Sequence, residues 1–229
     1  MPETIRYPTD LSDAAWILLA PLLPPPLPGG RPRTTELRAI LNAIFYVLRS
    51  GCQWRLLPRE FPAWGTVYHY FRIWKNTGVW TDIQRTIYEQ IRTEAGRSEC
   101  PSVVIMDGQS VKRTERGGVR GFDAHKRVKG RKRHILVDTL GLPITARVEP
   151  ANISDRRAAS LLLAGLSPLF PGIRTVVADA GHEGRKLARQ IRNDGWRLQI
   201  VKRRQRAFKI TGLTSAVERT LPGLGATAA

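Results

Sequence analysis

The sequence predicts an α/β fold, a mixed sheet with flanking helices, preceded by an all-helical unit. Three observations carry this reading. Apolar residues recur at helical spacing before Gly96, β-branched runs bounded by turns take over beyond Pro101, and helix and strand patterns then alternate as far as Val201. With 229 residues, 42% hydrophobic content and six Trp, the chain can bury a core in each part, which excludes disorder throughout.

In chain order, Ser12 is placed to cap a helix from Asp13 to Leu23, which Pro24, Pro25, Pro26 and Pro28 stop. Gly29 to Arg33 reads as a linker or arm. From Thr35 the residues Leu37, Ile40, Leu41, Ile44, Phe45 and Leu48 make one apolar helix face, and Gly51 stands where a C-cap glycine belongs. After the turn-rich Gly51 to Trp64 comes a helix from Thr66 to Asn76. Val67, Phe71 and Trp74 form its apolar stripe, while Tyr68, His69, Arg72 and Lys75 offer polar and basic tips. The two helices resemble a helix-turn-helix whose second member enters a major groove; the alternative is an ordinary helical pair with a solvated face. Thr81 to Glu94 closes this helical, DNA-binding-like domain, predicted as residues 1–96.

Residues 97–229 form the second predicted domain. Val103 to Met106 is a buried-strand pattern running into Asp107 and Gly108, and His134 to Val137 with Pro143 to Val148 reads as a hairpin about the Asp138 to Gly141 turn. Helix Asp155 to Leu166, strand Thr175 to Ala178 ending in Asp179, helix Gly184 to Asp194 and strand Leu198 to Val201 follow. Three strands, then helix, strand, helix, strand is the element order of a ribonuclease-H-like sheet covered by helices.

Charge narrows the function. Lys and Arg number 37 against 19 Asp and Glu, a net +18 that selects nucleic acid as the leading partner. A membrane is excluded as a partner because no stretch approaches the roughly 20 apolar residues of a spanning helix. Met1 to Tyr7 lacks a secretory pattern, and Cys52 and Cys100 lie far apart without metal-ligand spacing, so a reducing cytoplasm, in association with the nucleoid, is the expected location. Between Lys112 and Arg133 lies a dense basic stretch: Lys112, Arg113, Arg116, Arg120, Lys126, Arg127, Lys129, Arg131, Lys132 and Arg133, with only Glu115 and Asp123 as acids. Gly117, Gly118 and Gly121 would let such a loop follow a phosphate backbone. Lys202, Arg203 and Arg204 belong to a second basic run, Arg197 to Lys209.

Asp107 and Asp179 each directly follow an apolar strand pattern, where a sheet presents side chains to the crevice at its carboxyl edge. Phosphodiester chemistry needs hard oxygen ligands for two Mg²⁺ ions about 3.5–4 Å apart, and these two residues make the best ligand pair. A strand-end Asp taken singly is more often a turn or helix cap, and Asp138 and Asp155 read that way. Glu149, Asp123 and Glu183 have no positional argument.

Several linked motifs in order are similar to the IS5-family (IS4/IS5-like) insertion-sequence transposases. They are Gly51-Cys-Gln-Trp-Arg-Leu-Leu-Pro58 with Trp64 to Trp74, Asp107-Gly-Gln-Ser-Val-Lys112, Val128-Lys-Gly-Arg-Lys-Arg-His-Ile135, Asp138-Thr-Leu-Gly141, Ala178-Asp-Ala-Gly181 and Val217-Glu-Arg-Thr220. The resemblance implies a ribonuclease-H-like catalytic domain with a DDE triad on Asp107, Asp179 and Glu218. It also implies Mg²⁺, with Mn²⁺ as a substitute, and terminal inverted repeats and target sites in double-stranded DNA as substrate. A homo-oligomeric complex on DNA and cleavage followed by strand transfer complete the expectation. A non-enzymatic DNA-binding protein and a ribonuclease-H-like nuclease or junction resolvase are the alternatives.

The chain departs from that family near its end. Thr214 stands where an arginine usually precedes the third carboxylate, and Leu221-Pro-Gly-Leu-Gly-Ala-Thr-Ala-Ala229 replaces a basic helical continuation. The family's usual codons spell this tail after loss of one nucleotide, so a frameshifted, C-terminally truncated copy is expected; a genuine short variant and programmed frameshifting that joins two reading frames are the alternatives. Pro222 disfavours a helix interior by about 3 kcal/mol and Gly223 and Gly225 by about 1 each. Glu218 is then expected to be poorly held, with DNA binding retained and cleavage weak. His182, three residues after Asp179, is the one histidine singled out for test.

Overall fold

The computed structural model describes residues 7–26, 33–112, 120–124 and 126–201. Contacts divide the chain into two compact units that meet in sequence between Ala95 and Gly96. The first is helical. Helix α1 (Asp13–Leu19) starts at Ser12, whose Oγ accepts the Ala15 N–H at 3.2 Å, and ends earlier than its sequence pattern suggests because Pro21 tightens Ala20–Leu22 into a 3₁₀ turn. Helix α2 (Leu37–Ser50) ends on Gly51 at φ 67°, the left-handed conformation a glycine adopts without strain. Helices α3 (Trp64–Asn76) and α4 (Val79–Glu94) follow.

The tight, glycine-containing turn lies at Thr77 and Gly78, between α3 and α4. The connection from α2 to α3 runs from Gly51 to Ala63 and includes a 3₁₀ turn, longer than the three or four residues of a helix-turn-helix. The sequence therefore located the helices but not the tight turn. Ile40, Leu41, Ile44, Val67, Trp74 and Ile83 form the core of this unit. Two polar side chains enter it to tie the entry segment down: Asn42 Oδ1 accepts the Leu11 N–H at 2.9 Å, and the Arg38 guanidinium donates to the Leu11 carbonyl at 2.7 Å. Asn42→Ala should lower stability by about 1–3 kcal/mol, because it strands a buried N–H, and the denaturant midpoint reads the loss.

The second unit is one six-stranded sheet with helices. Its elements are β1 (Val103–Lys112), β2 (Gly121–Asp123), β3 (Val128–Asp138), β4 (Pro143–Pro150), α5 (Asp155–Leu163), α6 (Leu166–Leu169), β5 (Thr175–Asp179), α7 (Arg185–Asn193) and β6 (Arg197–Val201). The sheet order is β2-β3-β1-β5-β6, with β4 pairing β3 on the edge it shares with β2. Strands β1, β3 and β4 form an antiparallel meander, while β5 and β6 add in parallel. This is the ribonuclease-H-like arrangement anticipated from the element order. Helix α5 packs on β3 and β4, and α7 on α5 and β6.

Two strands outrun their apolar patterns. Strand β1 continues through Lys112, and β3 begins at Val128, so much of the basic stretch read as a loop is sheet. Lysine and arginine have little intrinsic strand preference; pairing with the apolar halves of the same strands decides the outcome. Alternation then sorts the charges. Lys129, Arg131 and Arg133 fall on the face that carries Asp107, and Lys132 falls on the face covered by α5.

On that covered face Lys132 is buried, with its ammonium 3.2 Å from Asp123 Oδ2 and 3.0 Å from Asp155 Oδ1. Ser110 Oγ donates to Asp123 Oδ2 at 2.6 Å, and the Lys126 N–H donates to its Oδ1 at 3.1 Å. Burial alone would raise the Asp123 pKa, but Ser110, the Lys126 amide and Lys132 together hold the carboxyl well below its ordinary range. Lys132 is therefore not the exposed DNA contact its neighbours suggested; its charge is consumed by two carboxylates. Lys132→Met, which leaves them without their cation, should destabilise the protein by about 3–5 kcal/mol in urea unfolding.

Candidate functional site

Parallel pairing of β1 with β5 runs from Val103–Thr175 to Met106–Ala178. Asp107 and Asp179 are the next residues on each strand, so the two carboxylates leave adjacent strands at one level, where neighbouring backbones lie about 4.8 Å apart. Beneath them on the same face Ile105, Ile135, Val137 and Val177 form a buried apolar cluster, flanked by Val103 and Val201, that contains no helix residue among the described residues. The sheet thus presents two acids at the rim of an apolar floor.

Each acid is anchored through one oxygen. Asp107 Oδ1 accepts the Gly108 N–H at 2.7 Å. Asp179 Oδ1 accepts the Gly181 N–H at 3.1 Å and the His182 Nδ1–H at 2.6 Å, and Asp179 caps the 3₁₀ turn Ala180–His182. The cap and candidate-ligand readings of Asp179 are therefore compatible, since the Asp179 side chain is 61% exposed and its second oxygen has no partner among the described residues. The His182 hydrogen bond holds the Asp179 carboxyl below the ordinary carboxylate range, helped by the nearby Lys126 charge. Lys126 is exposed and donates from Nζ to the Gly108 carbonyl at 3.0 Å, which sets an ammonium beside the two acids.

The layer behind the acids is polar and close-packed. Gly108 faces His134 across the strands, and a Cβ on Gly108 would lie 3.1 Å from His134 Nδ1. A Cβ on Gly181 would lie 3.0 Å from Asp155 Oδ2 and 3.2 Å from Asp179 Oδ1, so a side chain at either glycine would press its polar neighbours back by a few tenths of an ångström. Asp155 is the first residue of α5 and Ser154 is its cap, with Oγ accepting the Arg157 N–H; the acid's own role is to bind Lys132. Asp138 does hold its turn, accepting N–H groups from Leu140 and Leu142 at 2.9 Å. Glu149 pairs with Arg147 at 3.0 Å and lies in register with Lys132 of β3.

Among the basic residues proposed to track DNA, Arg72, Lys75, Lys126, Arg127, Lys129 and Arg131 are exposed and Arg133 is half-buried. Arg72 lies with Tyr68 and His69 on the open side of α3. Lys112 closes β1. Arg113, Lys202, Arg203, Arg204 and Glu218 lie outside the described residues. Sequence reasoning missed Asp123 and Asp155 as partners of Lys132; their only sequence signal is an acid within a basic run and an acid after a capping serine.

Two oxygen donors from adjacent strands suit Mg²⁺, which is held by one or two carboxylates and completes its shell with water and substrate phosphates. No group of three or more His, Cys, Asp or Glu side chains that could hold a metal occurs among the described residues. No helix among them is long and apolar enough to cross a membrane.

Burial pushes the His134 imidazole down to about 4 from its ordinary 6.5. A depressed histidine contributes stability above its unfolded pKa and loses it as pH falls toward the folded value. Melting temperatures measured from about pH 7 to about pH 5 should therefore decline, and His134→Leu should flatten that slope.

Residues 11–84 match the IS4/5-family transposases, and residues 98–222 match the transposase DDE domain. Over 88 residues the chain is 34% identical to the insertion element IS402 uncharacterized 16.2 kDa protein of Burkholderia cepacia, covering 36% of this chain and 60% of that protein. The chain thus spans less than two thirds of this relative's length. Among solved structures, the piggyBac transposase synaptic complex with hairpin DNA is similar at 16% identity and TM-score 0.31, over 50% of this chain and 26% of that one. The Mos1 transposase paired-end complex with left transposon end is similar at 10% identity and TM-score 0.30, over 89% and 82%. By its two family matches, the chain belongs to the DDE transposases of the IS4/5 family.

Proposed function

We propose that this chain is the transposase of an insertion sequence, cutting double-stranded DNA at terminal inverted repeats and joining the ends to target DNA. The observation that carries the reading is the pair Asp107 and Asp179 at one level on adjacent parallel strands, with Lys129, Arg131 and Arg133 on the same sheet face. The helical residues 1–96 serve as the end-binding domain, with Arg72 and Lys75 of α3 among the contacts, and residues 97–229 as the catalytic domain. Glu218 is the third carboxylate, a role that rests on its family motif. Mg²⁺, as two ions, would neutralise the attacking and leaving oxygens of the phosphodiester, with Mn²⁺ able to substitute.

The chain's own groups have distinct parts. Asp107 and Asp179 offer their unpartnered oxygens as hard ligands. Lys126, held at Gly108, meets a non-bridging oxygen of the scissile phosphate. Lys129, Arg131 and Arg133 bind flanking phosphates and set the strand along the sheet; Lys112, Arg113, Arg127, Lys202, Arg203 and Arg204 extend the track. The working form is a homo-oligomer on DNA, and the protein works in the cytoplasm at the nucleoid.

Asp107→Asn or Asp179→Asn should reduce nicking of a labelled inverted-repeat duplex by at least about a hundredfold while leaving its affinity in gel shifts within about threefold. Unchanged nicking in either variant would sink the assignment. Replacing Lys129, Arg131 and Arg133 by Ala should weaken binding to all duplexes alike and flatten the log K against log salt plot by about 0.9 for each phosphate no longer neutralised.

A further inference from the structure

We infer that His182 is a positioning residue for the metal site: its buried imidazole holds one oxygen of Asp179 so that the other is presented to the cation. This rests on the reading of Asp107 and Asp179 as metal ligands. Asp179 needs such a brace because its side chain is 61% exposed at the last residue of β5, where no further strand pairing with β1 restrains it. His182 supplies it from a ring only 1% exposed. Its Nδ1–H donates to Asp179 Oδ1 at 2.6 Å, and its Nε2 is buried without a hydrogen-bond partner among the described residues. Packing, not a second hydrogen bond, therefore fixes the ring, and its one polar contact is aimed at the acid.

The local sequence makes the geometry. In a 3₁₀ turn the side chains at i and i+3 eclipse, which stacks His182 on Asp179. Gly181 between them lies close under both acids: a Cβ there would press on Asp155 Oδ2 at 3.0 Å and on Asp179 Oδ1 at 3.2 Å. The motif Asp179-Ala-Gly-His182 is thus one physical unit in which the acid points outward and the imidazole inward. Groups behind metal-ligating carboxylates fix their orientation, and losing them commonly weakens metal affinity 10- to 100-fold.

The test compares His182→Asn with His182→Gln in the full chain. Asn carries its amide N–H near the place of Nδ1, whereas Gln carries it near Nε2, so both are polar and only Asn keeps the bond to Asp179. Mn²⁺ binding is read from the free-ion paramagnetic resonance signal without DNA, alongside melting temperature without metal. The expected result is Mn²⁺ affinity within about threefold of the parent for Asn and about 10- to 100-fold weaker for Gln. In an Asp179→Ala background the Gln change should have no further effect on Mn²⁺. Equal Mn²⁺ affinity in the Asn and Gln variants, whatever their melting temperatures, overturns the role of His182 while leaving the metal site standing. Parent protein whose Mn²⁺ binding does not depend on Asp107 and Asp179 overturns both.

Discussion

The carboxylate edge depends on the register of β1 between β3 and β5. Side chains alternate along a strand, so a slip of one residue would send Asp107 to the face under α5 and bring Met106 or Gly108 into its place. Three features oppose that slip. Gly108 lies opposite His134, where a Cβ would come within 3.1 Å of the ring. Ser110 reaches Asp123 at 2.6 Å, and Lys132, directly across from Ser110, reaches the same carboxylate at 3.2 Å. All three lie on the covered face and would be lost together. The buried ion cluster thus acts on the opposite face of the sheet by holding in place a strand whose other side carries the acid.

The same alternation resolves an electrostatic conflict. A run as basic as Lys129 to Arg133 would repel itself if every charge shared one environment. Folded as strand, it places Lys132 among Asp123 and Asp155, where burial lowers and the two acids raise its pKa, with the acids prevailing. Lys129, Arg131 and Arg133 are turned to the opposite face, away from that buried cluster. Strand β3 therefore carries a buried ion cluster on one side and a row of basic residues on the other.

This division also explains what was legible in the sequence. The element order, the helical first unit and the place of Asp179 at the end of β5 could be read from apolar periodicity, because each lies in or beside a run whose burial dominates its energy; Asp107 also follows its apolar run, but it stands mid-strand because β1 continues through Lys112. The strand character of Val128 to Arg133 could not, since Gly130 and the basic side chains argue against it locally and pairing with Gly121 to Asp123, Gln109 to Lys112 and Val148 to Pro150 supports it. Asp155 read as a capping residue for the same reason: Asn152 to Asp155 carries the local signal, while its partner Lys132 lies far back in the chain. The helix-turn-helix resemblance joins α2 to α3 across the turn-rich Gly51 to Trp64, whereas the short connection lies at Thr77 and Gly78, between α3 and α4, which local composition does not single out.

The buried histidines bear on what this edge of the sheet is built for. Both ring nitrogens of His134 and Nε2 of His182 are buried without hydrogen-bond partners among the described residues. Each such group forfeits about 1–3 kcal/mol relative to a satisfied or apolar one. A sheet shaped for stability alone would place leucine or valine there, as it does at Leu136 and Val176. Within the second unit's described residues these groups gather at one place: His134 faces Gly108, beside Asp107, and His182 is bonded to Asp179. Local violations of packing rules that gather behind two outward-facing acids are the signature of a site held for chemistry at some expense of stability. The polar layer and the carboxylates are in that sense one construction, with the orientation of the outer acids determined from beneath.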